Sequence, residues 1–236
     1  MDRVEAVVFD WYGTLAAPNP DDWWPRLLQL VTETGGSLDQ DGLIRWEADH
    51  PIEHLSHSIS EDQYRRWQRD RLDLLLQTAG VSEPDRRDFL DRIEHDRYRR
   101  EFSIYPDVRD ALEDLCTRGL RVGLCSNWDW DLDRHLEANG IQQLFTVVLC
   151  SASFGFRKPH PAVFRHLCDR LELRPERIAF VGDSWTDDVI GSGSAGFQPI
   201  HLARGGCDRA AHDIAPCLTD LTGLSDLLGP PPSGKS

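Results

Sequence analysis

Five short, almost continuously apolar runs constrain this chain more than any other feature: VEAVVF at 4–9, RVGLC at 121–125, TVVLC at 146–150, IAFV at 178–181 and QPIHL at 198–202. Runs without polar alternation suit strands buried on both faces of a parallel sheet. Helical patterns lie between them. Residues 107–118 place Val108, Ala111, Leu112 and Leu115 on one face, with Gly119 as the stop, and 161–171 do the same with Val163, Phe164, Leu167 and Leu171. Strands alternating with helices predict an α/β protein, a Rossmann-like, doubly wound parallel sheet. One stretch breaks the alternation. From 17 to 103 only helical periodicity is present: Ser60 to Gln63 reads as a capping box, Tyr64, Trp67, Leu72 and Leu75 follow at helical spacing, and Gly80 ends the run. The expected organisation is a core of residues 1–16 and 104–228, an all-helical insert at 17–103 and a disordered Pro/Gly/Ser tail at 229–236.

Charge and cysteine usage narrow the setting. A net charge of −14 argues against nucleic acid or an anionic membrane as partner, since both require a basic footprint. No apolar run reaches the roughly 18–20 residues needed to span a bilayer, and the opening MDRVEAVVFD lacks the layout of a signal peptide. Six cysteines without a C-x-x-C pair read as reduced thiols, so a cytoplasmic protein acting on a small molecule is expected.

In an open parallel sheet, ligands bind at the carboxyl ends of the strands. There the sequence places Asp10, then Ser126 and Asn127, then Asp183, Asp187 and Asp188, with Lys158 just before a helix. Carboxylates brought together from different strands repel unless a hard divalent cation joins them, and Mg²⁺ favours one or two carboxylates plus a phosphate oxygen. A carboxylate beside Mg²⁺ and a lysine is able to attack phosphorus, because the cations screen the approach of two anions. Only two of the 26 basic residues are lysine, Lys158 and Lys235, and Lys235 lies in the tail. The single internal lysine therefore sits where a compact ammonium is needed. Asp187 or Asp188 is also a natural N-cap for the helix that follows.

Together these residues resemble the haloacid dehalogenase superfamily. Asp10 in FDWYGTL matches the family nucleophile, Ser126 in LCSNWD the second motif, Lys158 in FGFRKPHP the third, and Asp183 with Asp188 in FVGDSWTDD the acidic fourth. The helical insert matches the cap that closes over the active site. The resemblance implies Asp10, the Tyr12 carbonyl and Asp183 as Mg²⁺ ligands, and Ser126 and Lys158 as phosphoryl binders. It implies Asp188 as the partner of the lysine or of a metal-bound water, and Trp11, Thr14, Asn127 and Arg45 as substrate contacts. Most members are Mg²⁺-dependent phosphatases that pass through an aspartyl-phosphate, and a small phosphate ester is the leading expectation for the substrate.

Tyr12 departs from that pattern, because phosphatases carry a second aspartate there, and a phenol of pKa about 10 is a poor base near neutrality. The metal-independent 2-haloacid dehalogenases share D-x-Y-G-T and use an arginine early in the cap, for which Arg45 is the match. They lack the acid at Asp183, and they tend to have a tyrosine where this chain has Phe164. That branch is the alternative expectation, and a catalytically weakened binding protein of the same fold is a further one. C–P hydrolases require a cap lysine, and residues 17–103 hold none. His50, His54 and His57 fall at i, i+4 and i+7, which reads as solvated or substrate-facing side chains, with proton donation to the leaving group as a weaker role. Trp11, Trp23, Trp24, Trp128 and Trp185 read as cap–core packing or as an aromatic rim.

Overall fold

The apolar run that opens the chain becomes β1, Ala6–Phe9, whose four residues are all buried. It lies at the centre of a parallel sheet with β2 (Arg121–Ser126) on one side and β4 (Ile178–Gly182) on the other. β3 (Val147–Cys150) extends one flank, and β5 (Gln198–Leu202) and β6 (Cys217–Leu218) the other, giving the order β3-β2-β1-β4-β5-β6. That order is the doubly wound one, and it opens crevices at the carboxyl end of β1, where the chain crosses to opposite flanks. The structure is a computed structural model describing residues 3–17, 23–50, 60–96, 101–207 and 214–229.

The chain divides into two units, Met1–Ala17 with Phe102–Ser236, and Pro18–Glu101. In the sheet unit the helices are α5 (Val108–Thr117), α6 (Leu132–Ala138), α7 (Ser151–Phe154), α8 (Pro161–Leu171), α9 (Gly191–Ser194) and α10 (Leu224–Leu228). Val163, Phe164, Leu167 and Leu171 of α8 pack with Ala6, Val8, Phe180 and Phe197 in one buried cluster. The helical unit contains α1 (Trp23–Glu33), α2 (Gln40–Asp49), α3 (Glu61–Thr78) and α4 (Glu83–Asp96), with no strand among its described residues. Leu27, Val31, Trp46, Leu75, Leu76 and Phe89 form its core. Ser60 caps α3 as the sequence predicts, accepting the Gln63 N–H at 3.3 Å. No helix of the described residues is long and apolar enough to cross a membrane.

One expectation needs correction. The cysteines are not all reduced, because Cys207 and Cys217 form a disulfide. Pairing of β5 with β6 sets Cys217 opposite His201, beside the chain that has just left β5, a proximity that no local spacing encodes. The same short strand β6 escapes sequence reading because two residues carry no periodicity. The tail beyond 229 lies outside the described residues.

Candidate active site

At the end of β1 the Asp10 N–H still donates to the Val181 carbonyl at 2.9 Å, so its side chain leaves the sheet at the central crevice. The chain then folds back at once, with the Trp11 carbonyl accepting from Leu15 and Ala16 N–H at 2.8 and 2.7 Å. Gly13 makes that turn possible with φ +81°, a left-handed value that favours glycine, and a Cβ there would lie 2.5 Å from Asp183 Oδ2. Thr14 is fully buried in the same turn and donates its hydroxyl to Asp183 Oδ1 at 3.1 Å.

Lys158 closes the constellation. Its Nζ lies 2.6 Å from Asp10 Oδ1 and 2.6 Å from Asp188 Oδ1, and its side chain is 2% exposed. Burial works against the charge, but attraction to Asp10 and Asp188 outweighs it and holds the ammonium above the ordinary lysine range. Burial also pushes the Asp188 carboxyl upward, against the pull of Lys158. Asp188 Oδ2 accepts the Ser184 N–H at 3.0 Å, so both of its oxygens are engaged. Asp183 is exposed on one side and packed against Thr14 and Gly13 on the other; burial of that inner side, then the charge of Asp10, raise its pKa. Carboxylate oxygens of Asp10, Asp183 and Asp188 lie within 4.8 Å of one another.

A π-helical turn, Trp185–Ile190, supplies the second acid. Its wider i→i+5 turn is a frequent local device at functional sites, and here it brings consecutive carboxylates to the same edge. Asp188 reaches Lys158, while Asp187 Oδ2 accepts from Asn127 Nδ2 at 3.0 Å. Neither aspartate caps the turn. Ser184 does, accepting the Asp187 N–H at 3.2 Å, because its hydroxyl stands three residues ahead.

The remaining expected residues differ in their surroundings. Ser126 ends β2 and is buried. Trp11 and Thr14, expected at the substrate, are both fully buried in the fold-back, and Thr14 spends its hydroxyl on Asp183. Trp11 stacks on His135 at 6.4 Å. Tyr12 and Trp128 are half-buried and stacked at 5.8 Å, with Phe102 edge-on to both. Trp185 packs edge-on against His201, whose Nε2 lies 3.2 Å from the Asp183 carbonyl. Asn127 has its amide on Lys158 and Asp187. Arg45 is exposed on α2, 3.9 Å from Asp39. His50 stacks on Trp46 at 4.4 Å and is bonded to its carbonyl, whereas His54 and His57 lie outside the described residues, as do the side chains of Trp23 and Trp24.

Sequence reading misses Arg204. Its guanidinium donates twice to the Thr14 carbonyl (3.0 and 2.8 Å), grips both Asp107 oxygens at 3.1 Å and lies 3.7 Å from the centre of the Tyr105 ring. It thereby fixes the turn that carries Asp10 to the segment returning to the sheet. Nothing local distinguishes it from 23 other arginines.

A match over residues 4–196 to the family model described as haloacid dehalogenase-like hydrolase decides the family. The chain belongs to the haloacid dehalogenase-like hydrolases. Proteins similar to this hydrolase include both dehalogenases and phosphatases. It is 28% identical to (S)-2-haloacid dehalogenase 4A of Burkholderia cepacia over 96% of its own length and 94% of that protein. It is 36% identical to phosphoserine phosphatase of Thermus thermophilus, but over only 46% of this chain and 44% of that one. In fold it resembles the 2-haloacid dehalogenase of Pseudomonas syringae, with a TM-score of 0.66 and 23% identity over 95% of this chain and 98% of that one.

Proposed function

We propose that this hydrolase removes phosphate from small phosphate esters with Mg²⁺ as cofactor. The observation that carries the reading is the cluster of Asp10, Asp183 and Asp188 around a single buried ammonium. Three carboxylates facing one lysine leave uncompensated negative charge, and a set of hard oxygen donors suits a small divalent ion. Asp10 and Asp183 would hold the ion with the Tyr12 carbonyl, since Asp188 already has both oxygens engaged. When bound, Mg²⁺ supplies charge neutralisation for an incoming phosphate.

The chain's own residues do the rest. Lys158 holds Asp10 Oδ1, which points to Oδ2 as the attacking oxygen. Attack on phosphorus forms an aspartyl-phosphate and breaks the bond to the leaving oxygen, and water then cleaves the acyl phosphate to return Asp10. Lys158 and Ser126 hold the phosphoryl oxygens. Because Tyr12 replaces the usual acid, esters with acidic alcohols, such as aryl phosphates, react faster than alkyl phosphates.

A second reading is metal-free 2-haloacid dehalogenation, in which Asp10 attacks carbon and expels halide. Two relatives matched along nearly their whole length at 28% identity are dehalogenases, which favours it, and so does Tyr12. Against it, a substrate that itself carries a carboxylate would meet the same acidic cluster.

One panel separates them: aryl and alkyl phosphates and 2-haloacids, each with Mg²⁺ and with chelator. Phosphate release abolished by chelator is the expected result, and chelator-insensitive halide release reverses the assignment. An independent readout is thermal stability. Mg²⁺ raises the melting temperature of the native chain by mass action and loses that effect in Asp183→Asn.

A further inference from the structure

We propose that Asn127 is a positioning residue, whose amide locks the lysine-bearing turn and the π-helical turn to the end of β2 and makes no contact with substrate. The inference rests on the reading of the Asp10–Lys158 site as the hydrolytic centre. An amide side chain offers one carbonyl acceptor and two N–H donors. In Asn127 all three functions are directed into the protein. Oδ1 accepts the Lys158 backbone N–H at 2.8 Å, and Nδ2 donates to the Lys158 carbonyl at 3.0 Å and to Asp187 Oδ2 at 3.0 Å. A residue 31 positions away in the chain thus grips both backbone polar groups of the lysine.

That grip has a chemical purpose. Lysine is a compact charge on a flexible four-carbon stem, so its head is only as well placed as its base. The head of Lys158 must meet Asp10 and Asp188 at 2.6 Å each. A displacement of about 1 Å at its backbone breaks one of those contacts, and errors of that size cost on the order of a hundredfold in rate. The third bond, to Asp187, ties in the turn that carries Asp188, so one amide sets the lysine and its partner acid in a common frame.

The composition of this chain supplies a direct test. Lys158 and Lys235 are its only lysines, so acylation by an amine-directed reagent such as an N-hydroxysuccinimide ester, followed by peptide mass spectrometry, reads Lys158 against an internal reference. Full-length wild type, Asn127→Ala, Asn127→Asp and the swap Asn127→Asp/Asp187→Asn are compared, with circular dichroism to establish folding. In Asn127→Ala, Lys158 is acylated about tenfold faster, with Lys235 unchanged, and kcat on an aryl phosphate falls roughly 10–100-fold with KM within about threefold. Asn127→Asp sets two carboxylates face to face and lowers kcat at least as far. The swap restores an amide–carboxylate bond in reversed polarity and recovers part of the loss. Unchanged Lys158 acylation, or a raised KM at constant kcat, overturns the inference and returns Asn127 to substrate binding. Should Asn127→Ala fail to fold, the comparison of Asn127→Asp with the swap decides. If wild type hydrolyses neither phosphate esters nor haloacids, the hydrolytic reading fails, while the acylation rates still decide whether Asn127 holds the lysine.

Discussion

Lys158 illustrates how one residue serves both folding and chemistry. It is 4% exposed, and its ammonium is the counter-charge for Asp10 and Asp188. Removing one partner of a buried ion pair leaves the others uncompensated, a loss of about 3–5 kcal/mol. Lys158→Met is therefore expected to destabilise the protein by about that amount in urea unfolding, besides losing activity. The buried thiols near the site behave differently. Burial pushes Cys125 and Cys150 up to about 12, so at pH 8 iodoacetamide is expected to leave both unmodified in the native chain. The sign for stability follows. Unfolded thiols ionise near pH 9 while these two keep their protons, so stability falls as pH rises from about 9 towards 12. Cys125→Ala flattens part of that fall, read from melting temperatures across the same range. Asp10, Ser126, Lys158 and Asp183 are legible in the sequence because each directly follows or ends an apolar run or stands before a helix. Arg204 and the inward amide of Asn127 are not, because their partners are distant in the chain.

At the scale of elements, the strands and α8 follow from local pattern. The run at 178–181 continues to Gly182, and α8 occupies 161–171 as its periodicity requires. The π-helical turn does not follow from pattern, since WTDDVI has nothing to tell it from an ordinary first helical turn. Its geometry is nevertheless matched to a glycine. A Cβ on Gly182 would lie 2.2 Å from Asp188 Oδ2. Gly182→Ala is expected to push Asp188 off Lys158, abolishing most activity while far-UV circular dichroism stays native. In the helical unit, Leu76→Ala removes a fully buried side chain from the α1–α4 core, at a cost of about 2–5 kcal/mol in chemical denaturation.

At the scale of the molecule, the interruption of the sheet by a helical unit after β1 is the main organising feature. The segments that leave and re-enter the sheet unit run side by side, with Ala17 N–H on the Ser103 carbonyl at 2.9 Å and Tyr105 N–H on the Leu15 carbonyl at 3.0 Å. Arg204 binds both through Thr14, Tyr105 and Asp107, which explains why a residue outside every motif touches the nucleophile turn. The Cys207–Cys217 bridge ties the chain leaving β5 to β6 at the sheet's edge. Reduction is expected to lower stability by roughly 2–4 kcal/mol, measured as a fall in melting temperature with a thiol reductant that Cys217→Ser reproduces.

By itself the sequence determined the parallel sheet, the helical insert and the acid–lysine set at the strand ends, because each is written in local periodicity or in a motif next to a strand. Only the tertiary structure decided which acid meets the lysine, that Trp11 and Thr14 are buried in the fold-back, that Asn127 spends its amide on Lys158, and that two cysteines pair. Those outcomes depend on distances between segments far apart in the chain, which strand order and a π-helical turn set and which no local spacing records.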